Sequence, residues 1–84
     1  MVQNVTFENI ENYSVLKIIW RNSLKDAEVI QSFTEINNAL AQADQPIFIV
    51  FDLTANPTYP LLTTVHEALP AYRNDMLREW LLIG

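Results

Sequence analysis

The run Ile47-Phe48-Ile49-Val50-Phe51 limits the possible folds more than any other part of the sequence. Continuous β-branched and aromatic residues are typical of a strand covered on both faces, most often a central parallel strand. A helical apolar pattern precedes the run, and an alternating pattern precedes the helix. Strand, helix and strand in this order form a crossover unit, which is almost always right-handed. The sequence therefore predicts an α/β protein.

Two alternating segments before the helix predict an antiparallel pair of strands. Val5 to Glu8 alternates apolar and polar residues, and Asn9 to Asn12 is typical of a turn because Asn tolerates left-handed backbone conformations. The alternation resumes from Tyr13 to Trp20. The face of this second strand that we expect to be buried holds Leu16, Ile18 and Trp20.

The first helix is predicted by apolar residues at a 4-3-4 spacing, which places them on one helical face. They are Val29, Phe33, Ile36 and Leu40. The segment Ser23-Leu24-Lys25-Asp26 has the form of a capping box with Asp in place of Glu, so we expect Ser23 to be the N-cap. Pro46 disfavours helix at the residue before it, so the helix should end there at the latest.

The second half of the chain predicts a loop, a short helix and a final strand. Leu53 to Pro60 contains two X-Pro pairs and is typical of a loop. Thr64 to Glu67 is a second capping box, and Pro70 interrupts the helical pattern soon afterwards. We expect a short or kinked helix over about residues 61–72. A turn at Asn74-Asp75 and a strand over Glu79 to Ile83 complete the pattern.

These elements predict a single domain over residues 1–84 with the order β-β-α-β-α-β, on the border between α/β and α+β. Its four-stranded mixed sheet would carry one long and one short kinked helix. Two helices leave one face of such a sheet short of cover. Either the chain is truncated after its last strand, or a second copy supplies the missing layer.

Composition excludes several classes of function. Acidic residues outnumber basic ones 10 to 5, which argues against nucleic acid and anionic membrane surfaces as partners. The absence of cysteine excludes disulfides and thiol chemistry, and a single glycine leaves no Gly-rich phosphate loop. With no signal peptide and no apolar run of about 18 residues, we expect a cytoplasmic protein without membrane insertion. No cofactor is expected.

Three segments carry a resemblance to a known family. They are Ser23-Leu24-Lys25-Asp26, Ile49-Val50-Phe51-Asp52-Leu53-Thr54 and Arg78-Glu79-Trp80-Leu81-Leu82-Ile83-Gly84. With the order of elements, they resemble the sulfate-transporter and anti-sigma-factor-antagonist (STAS) family, especially its small bacterial members. The resemblance extends over the whole chain as a pattern. It implies a STAS-like fold and a regulatory role through protein–protein contacts.

The sequence departs from that family at two points. Regulatory members carry an Asp-Ser-Ser-Gly motif after the third strand, and a partner kinase phosphorylates its first serine to switch partner binding. The equivalent positions here are Pro60, Leu61, Leu62 and Thr63, so the phosphoacceptor is missing. The helix that follows the last strand in the family also has no counterpart in this sequence. The resemblance therefore implies the scaffold without the phosphorylation switch.

Asp52 and His66 are the residues best suited to chemistry. Asp52 ends a strand, at the edge of the sheet where α/β proteins place ligands. It could serve there as a general base or a polar anchor. The alternative is a turn residue whose carboxylate accepts hydrogen bonds from its own downstream amides. His66 is the only histidine, and its candidate partners are Glu67 and Asp52. A lone histidine near a helix start is more often solvated. We expect no enzyme activity and no metal site.

Two further clusters have more than one interpretation. Lys17, Arg21 and Lys25 lie around the end of the second strand and could form a local anion site. Trp20 and Trp80 lie near strand ends and are predicted to be core or dimer residues.

Aromatic and apolar residues around the second helix favour an interaction surface, because Tyr offers large contact area at low entropic cost. The alternative is that Tyr59, Leu61 and Leu62 close the core. The predicted surface consists of Asp52, Thr54, Tyr59, Leu61, Leu62, Thr63, His66 and Tyr72. We expect a non-enzymatic STAS-like interaction module that forms a homodimer and has a possible regulatory partner protein. The alternative is a small apolar-ligand or lipid-binding domain with its pocket between the short helix and the sheet.

Overall fold

The computed structural model describes residues 4–11 and 14–84. Its elements, in chain order, are β1 (Val5–Ile10), β2 (Val15–Trp20), α1 (Asp26–Gln42), β3 (Ile47–Asp52), α2 (Leu61–Tyr72) and β4 (Leu77–Ile83). The sheet has the order β1-β2-β3-β4, with β1 antiparallel to β2 and the other neighbours parallel. The predicted α/β class and four-stranded mixed sheet are confirmed.

Both helices cover the same face of the sheet. The two crossovers, β2-α1-β3 and β3-α2-β4, step across the sheet in the same direction, and right-handed crossovers of this kind place their helices on one side. Residues of α1, α2 and the sheet accordingly share one core. Its buried apolar residues are Leu16, Ile18, Trp20, Leu24, Val29, Phe33, Ile36, Leu40, Ile47, Ile49, Phe51 and Ala71. The prediction that Leu16, Ile18 and Trp20 form the buried face of β2 is confirmed.

The prediction that β3 is covered on both faces is wrong. Ile49 and Phe51 are buried, but Phe48 is 40% exposed and Val50 is half-buried. With both helices on one side, the described residues leave the other side of β3 without a covering layer. A continuous apolar run therefore does not distinguish a strand buried on both faces from a strand whose second face is apolar and open.

The start of α1 also differs from the prediction. Ser23 is not the N-cap, because its hydroxyl pairs with that of Thr58 at 2.8 Å and the two residues form a parallel β-bridge. Lys25 is the N-cap, and its N–H donates to the Glu28 carboxylate at 2.9 Å. The acid of the capping box is Glu28 rather than Asp26. Tertiary pairing with the loop before α2 thus holds Ser23 outside the helix.

The start of α2 lies three residues before the predicted capping box. Pro60 is its N-cap, and Thr64 lies inside the helix, where its hydroxyl donates to the Pro60 carbonyl at 2.8 Å. The helix continues through Pro70 to Tyr72, which confirms the predicted range. Pro70 lies in the last turn, so a kink caused by proline has few helical residues after it to displace.

The first and last strands are both longer than predicted. Asn9 and Ile10 pair with β2 and so belong to β1 instead of the predicted turn. Glu11 follows with a left-handed φ of 52°. The predicted turn residue Asn12 and strand residue Tyr13 lie outside the described residues. Likewise, β4 begins two residues earlier than predicted because the extra residues still pair with β3.

Candidate functional site: a helix side and a free sheet edge

Asp52 is a turn residue at the end of β3. Its Oδ1 accepts the Thr54 hydroxyl at 2.6 Å and the Thr54 amide at 3.0 Å. Lys17 Nζ lies 3.7 Å from Oδ2. The hydrogen bonds from Thr54, with a smaller contribution from Lys17, hold the pKa of Asp52 below its ordinary value. The turn interpretation is confirmed, and the lowered pKa makes this carboxylate a weak base.

His66 and Asp52 lie on opposite sides of the sheet. Asp52 faces the side without helices, where it pairs in register with Ile19 and Ile83 and contacts Lys17. His66 is exposed on α2, which covers the other side. The two residues therefore cannot act as a catalytic pair. Among the described residues, no group of three or more His, Asp or Glu side chains is placed to hold a metal ion.

The three basic residues around the end of β2 have separate surroundings. Lys17 lies beside Asp52, and Arg21 donates from Nη1 to the Thr6 hydroxyl at 2.8 Å. Lys25 is exposed at the start of α1. The local anion site that they could form stays a prediction.

An apolar cavity of about 260 Å³ lies between α2 and the sheet. It is lined by Trp20, Phe33, Phe51, Leu53, Tyr59, Leu61, Thr64, Ala68, Trp80 and Leu82. The ring centroids of Trp20 and Tyr59 are 5.2 Å apart, and those of Phe51 and Trp80 are 5.5 Å apart. The Thr64 hydroxyl in the wall already donates to the Pro60 carbonyl. The cavity therefore offers aromatic surface and few free polar groups.

A wider depression of about 610 Å³ lies at the other end of the molecule, between the end of α1 and the first two strands. Exposed amide and carboxylate side chains make up much of its wall, including Asn38, Gln42 and Asp44. Its only aromatic residue is Phe7. This depression lacks the converging side chains of a built site.

The outer side of α2 is apolar and exposed. Four apolar or aromatic residues recur there at a 3-4-3 spacing, which places them on one side of the helix. We call them the α2 stripe, and their side chains are 43–86% exposed: Leu62, Val65, Leu69 and Tyr72. The opposite side of the helix holds Ala71, its one buried residue, and Thr63, whose hydroxyl donates to Asp26 of α1 at 2.9 Å. The α2 stripe therefore points away from α1, on the side of the helix nearest the edge of the sheet.

The edge beside the α2 stripe is formed by β4, which has no strand on its outer side among the residues described. The Ile83 carbonyl accepts from the Leu53 N–H, so it points towards β3. Backbone groups of successive strand residues point in alternate directions. The groups of Arg78, Trp80 and Leu82 therefore point outwards. A free edge of this kind is a template for pairing with another strand.

The open face, defined as the side of the sheet without helices, is also partly apolar. Its apolar residues are Ile10, Val15, Ile19, Phe48, Val50, Leu81 and Ile83. The ion pair of Lys17 and Asp52 lies among them, and Glu8 and Glu79 add further charge. The open face thus mixes apolar and charged groups, whereas the α2 stripe contains apolar residues and the phenol of Tyr72.

The eight residues predicted as one interaction surface occupy several places. The α2 stripe contains Leu62 and Tyr72. The cavity wall contains Tyr59, whose ring packs on Trp20, and Leu61. The alternative that Tyr59, Leu61 and Leu62 close the core is wrong, because they are 36%, 67% and 86% exposed. The turn after β3 contains Asp52 and Thr54. The helix α2 also carries Thr63, which faces α1, and the exposed His66.

Val65, Leu69 and the free edge of β4 belong to this surface but are not among the residues predicted from the sequence. The spacing of residues 62, 65, 69 and 72 was a usable signal, because it places them on one side of a helix. Spacing alone does not say whether that side faces the core or solvent. Trp80 is half-buried in the cavity wall, which agrees with a core position.

No family model, curated protein or solved structure matches this chain. Neither helix in the described part of the molecule has the length and apolar character needed to cross a membrane.

Proposed function

We propose that the chain is a non-enzymatic protein–protein interaction module of STAS-like type, which acts as a homodimer in the bacterial cytoplasm. The observation that carries this proposal is the exposed α2 stripe, in which Leu62 is 86% and Tyr72 is 68% exposed. Continuous apolar patches at a protein surface mark contact sites. Catalysis has weaker support, because Asp52 and His66 lie on opposite sides of the sheet.

The STAS-like part of the proposal is supported by the order of the elements, β-β-α-β-α-β. It is also supported by the position of α2. The residues equivalent to the family's switch motif, Pro60 to Thr63, form the N-cap and first turn of α2. The exposed stripe therefore begins where regulatory members of the family control partner binding.

The experiment that tests the proposal is molar mass in solution, measured by light scattering coupled to size exclusion over a dilution series. We expect a mass of about twice 9.7 kDa that persists to low micromolar concentration. A folded chain that stays at the mass of one copy at every concentration would contradict the homodimer.

The cavity favours a second candidate function, a small apolar-ligand or lipid-binding domain. Ligand pockets are mostly apolar with a few polar groups, and the wall of the cavity fits this description. The two tryptophans of the chain, Trp20 and Trp80, both line it. Tryptophan fluorescence therefore reports directly on its occupancy.

The test of this candidate is a fluorescence titration with octanoic acid. We expect saturable quenching in the natural chain and its loss in Ala68→Met, because the longer side chain fills the cavity. Leu81→Met on the open face is the matched control and should titrate like the natural chain. Quenching that is linear with concentration, or equal in Ala68→Met, would exclude a specific site.

A further inference from the structure

We propose that the second copy docks edge to edge, so that the two β4 strands pair antiparallel and the two sheets become one continuous sheet. The two α2 stripes then pack against each other above the joined strands. The inference rests on the homodimer proposed above and specifies its contact surface.

The edge strand β4 can pair with a second copy of itself. A twofold axis perpendicular to the sheet brings β4 alongside itself in the antiparallel direction. The outward backbone groups of Arg78, Trp80 and Leu82 then meet the same groups of the partner. An axis at Trp80 places Glu79 opposite the partner's Leu81, and so avoids placing like charges directly opposite each other.

The helix α2 meets its counterpart in the same arrangement. An axis perpendicular to the sheet keeps the helices of both copies on the same face. Each α2 stripe points away from its own α1, so the rotation that pairs the strands also turns the two stripes towards each other. An extended peptide would pair with β4 and leave the stripe exposed, and a lone helix would cover the stripe and leave the edge free. A second copy of the chain supplies a strand for the β4 edge and an apolar helix side for the α2 stripe.

The exposed apolar area beside the β4 edge is close to that of a standard interface. The α2 stripe with Leu61 and Leu82, which are 67% and 69% exposed, presents roughly 700 Å² per chain, against about 800 Å² per partner in a standard stable interface. Strand pairing adds backbone surface to this total. The open face competes less well, because docking there would remove the ion pair of Lys17 and Asp52 from water, and that desolvation opposes binding.

The experiment compares dimer dissociation in three variants by light scattering and sedimentation over a dilution series. Leu69→Glu places a charge in the α2 stripe, and Leu82→Pro removes an outward N–H that an edge strand can lose without breaking its own sheet. Phe48→Glu on the open face is the matched control, since Phe48 and Leu69 are 40% and 43% exposed. Circular dichroism verifies that each variant is folded.

We expect Leu69→Glu and Leu82→Pro to raise the dissociation constant about 100-fold or more, and Phe48→Glu to change it less than about threefold. If Leu69→Glu fails to fold, Leu62→Glu replaces it, because Leu62 is 86% exposed. A dimer lost only in Phe48→Glu overturns the edge-to-edge contact and leaves the homodimer standing. A dimer that survives Leu82→Pro overturns the strand pairing. A natural chain that is monomeric throughout overturns both proposals.

A second measurement uses the absence of cysteine from the chain. Val65→Cys places a single thiol in the α2 stripe, and Phe48→Cys places one on the open face. Under mild oxidation, we expect a disulfide-linked dimer from Val65→Cys at several times the rate of Phe48→Cys. The reverse order would place the contact on the open face and overturn the proposal.

Discussion

The two helices lie on the same face of the sheet, yet they relate to the core in opposite ways. The first helix, α1, buries Val29, Ser32, Phe33, Ile36 and Leu40. The second helix, α2, buries Ala71 alone, and four of its five large apolar or aromatic residues form the exposed α2 stripe. The difference follows from position, because α1 packs over the centre of the sheet, whereas α2 lies near its edge and contacts it through small residues such as Ala68.

This difference gives the two helices separate roles, because α1 stabilises the fold and α2 offers a surface for association. The large residues of α1 fill the core, so changes there should affect folding. The large residues of α2 face outwards, so changes there should affect association.

The largest expected effect is the truncation of the same residue type in each helix. Leu40 is 1% exposed on α1, and Leu62 is 86% exposed on α2. We expect Leu40→Ala to lower the free energy of unfolding by about 3–5 kcal/mol, through lost burial and the cavity left behind. Leu62→Ala should change it by less than about 0.5 kcal/mol. Urea unfolding at the lowest workable protein concentration measures both, and equal losses would refute the comparison.

The second largest loss of stability is expected when the buried hydrogen bond that connects α1 to the sheet is removed. Trp20 Nε1 donates to the Ser32 hydroxyl at 3.0 Å, and that hydroxyl donates to the Glu28 carbonyl at 2.9 Å. Ser32→Ala leaves the indole N–H without its partner, which should lower the free energy of unfolding by about 1–3 kcal/mol.

The matched control is Thr34→Ala, which removes an exposed hydroxyl that bonds only to the Ile30 carbonyl of its own helix. It should change the free energy of unfolding by less than about 0.5 kcal/mol. Urea unfolding again provides the comparison, and a Ser32→Ala loss no larger than that of Thr34→Ala would count against the buried bond.

A gain in stability is expected at the end of α2. Pro70 removes a helical N–H and opposes helix at the residue before it. An interior proline costs a helix about 3 kcal/mol relative to alanine, and less in the last turn, so Pro70→Ala should raise the free energy of unfolding by about 1 kcal/mol. Thermal and urea unfolding measure the change. A lower stability would show that proline is favoured at this position.

The smallest expected effect concerns the contact between the helices. The Thr63 hydroxyl donates to the Asp26 carboxylate at 2.9 Å at an exposed position. A double-mutant cycle of Thr63→Val and Asp26→Ala should give a coupling energy of about 0.5–1 kcal/mol. Zero coupling would indicate that apolar packing alone holds α2 against α1.

Much of the fold was predictable because it follows from local patterns. The alternation in β2 and the 4-3-4 spacing in α1 predicted both elements and their buried residues. The capping residues were less predictable. Ser23 matches a capping pattern, but its contact with Thr58, which is distant in sequence, takes it out of the helix.

The candidate site was predictable only in part, because it too depends on contacts between residues that are distant in sequence. Leu62 and Tyr72 are predictable because they are an apolar and an aromatic residue close to the prolines around a short helix. Asp52 and His66 are separated by the sheet, and no local pattern carries that information. The role of β4 depends on its place at the end of the strand order, which is a property of the whole sheet.

The sequence by itself determined the identity and order of the elements, because side-chain periods of two and of 3.6 residues reflect the local geometry of strands and helices. Only the tertiary structure decided which apolar surfaces stay exposed. Two crossovers of the same hand that step in the same direction place both helices on one face. That arrangement leaves an open face, a free β4 edge and an α2 stripe beside it, and the apolar residues of these surfaces cannot be told from core residues by their sequence alone.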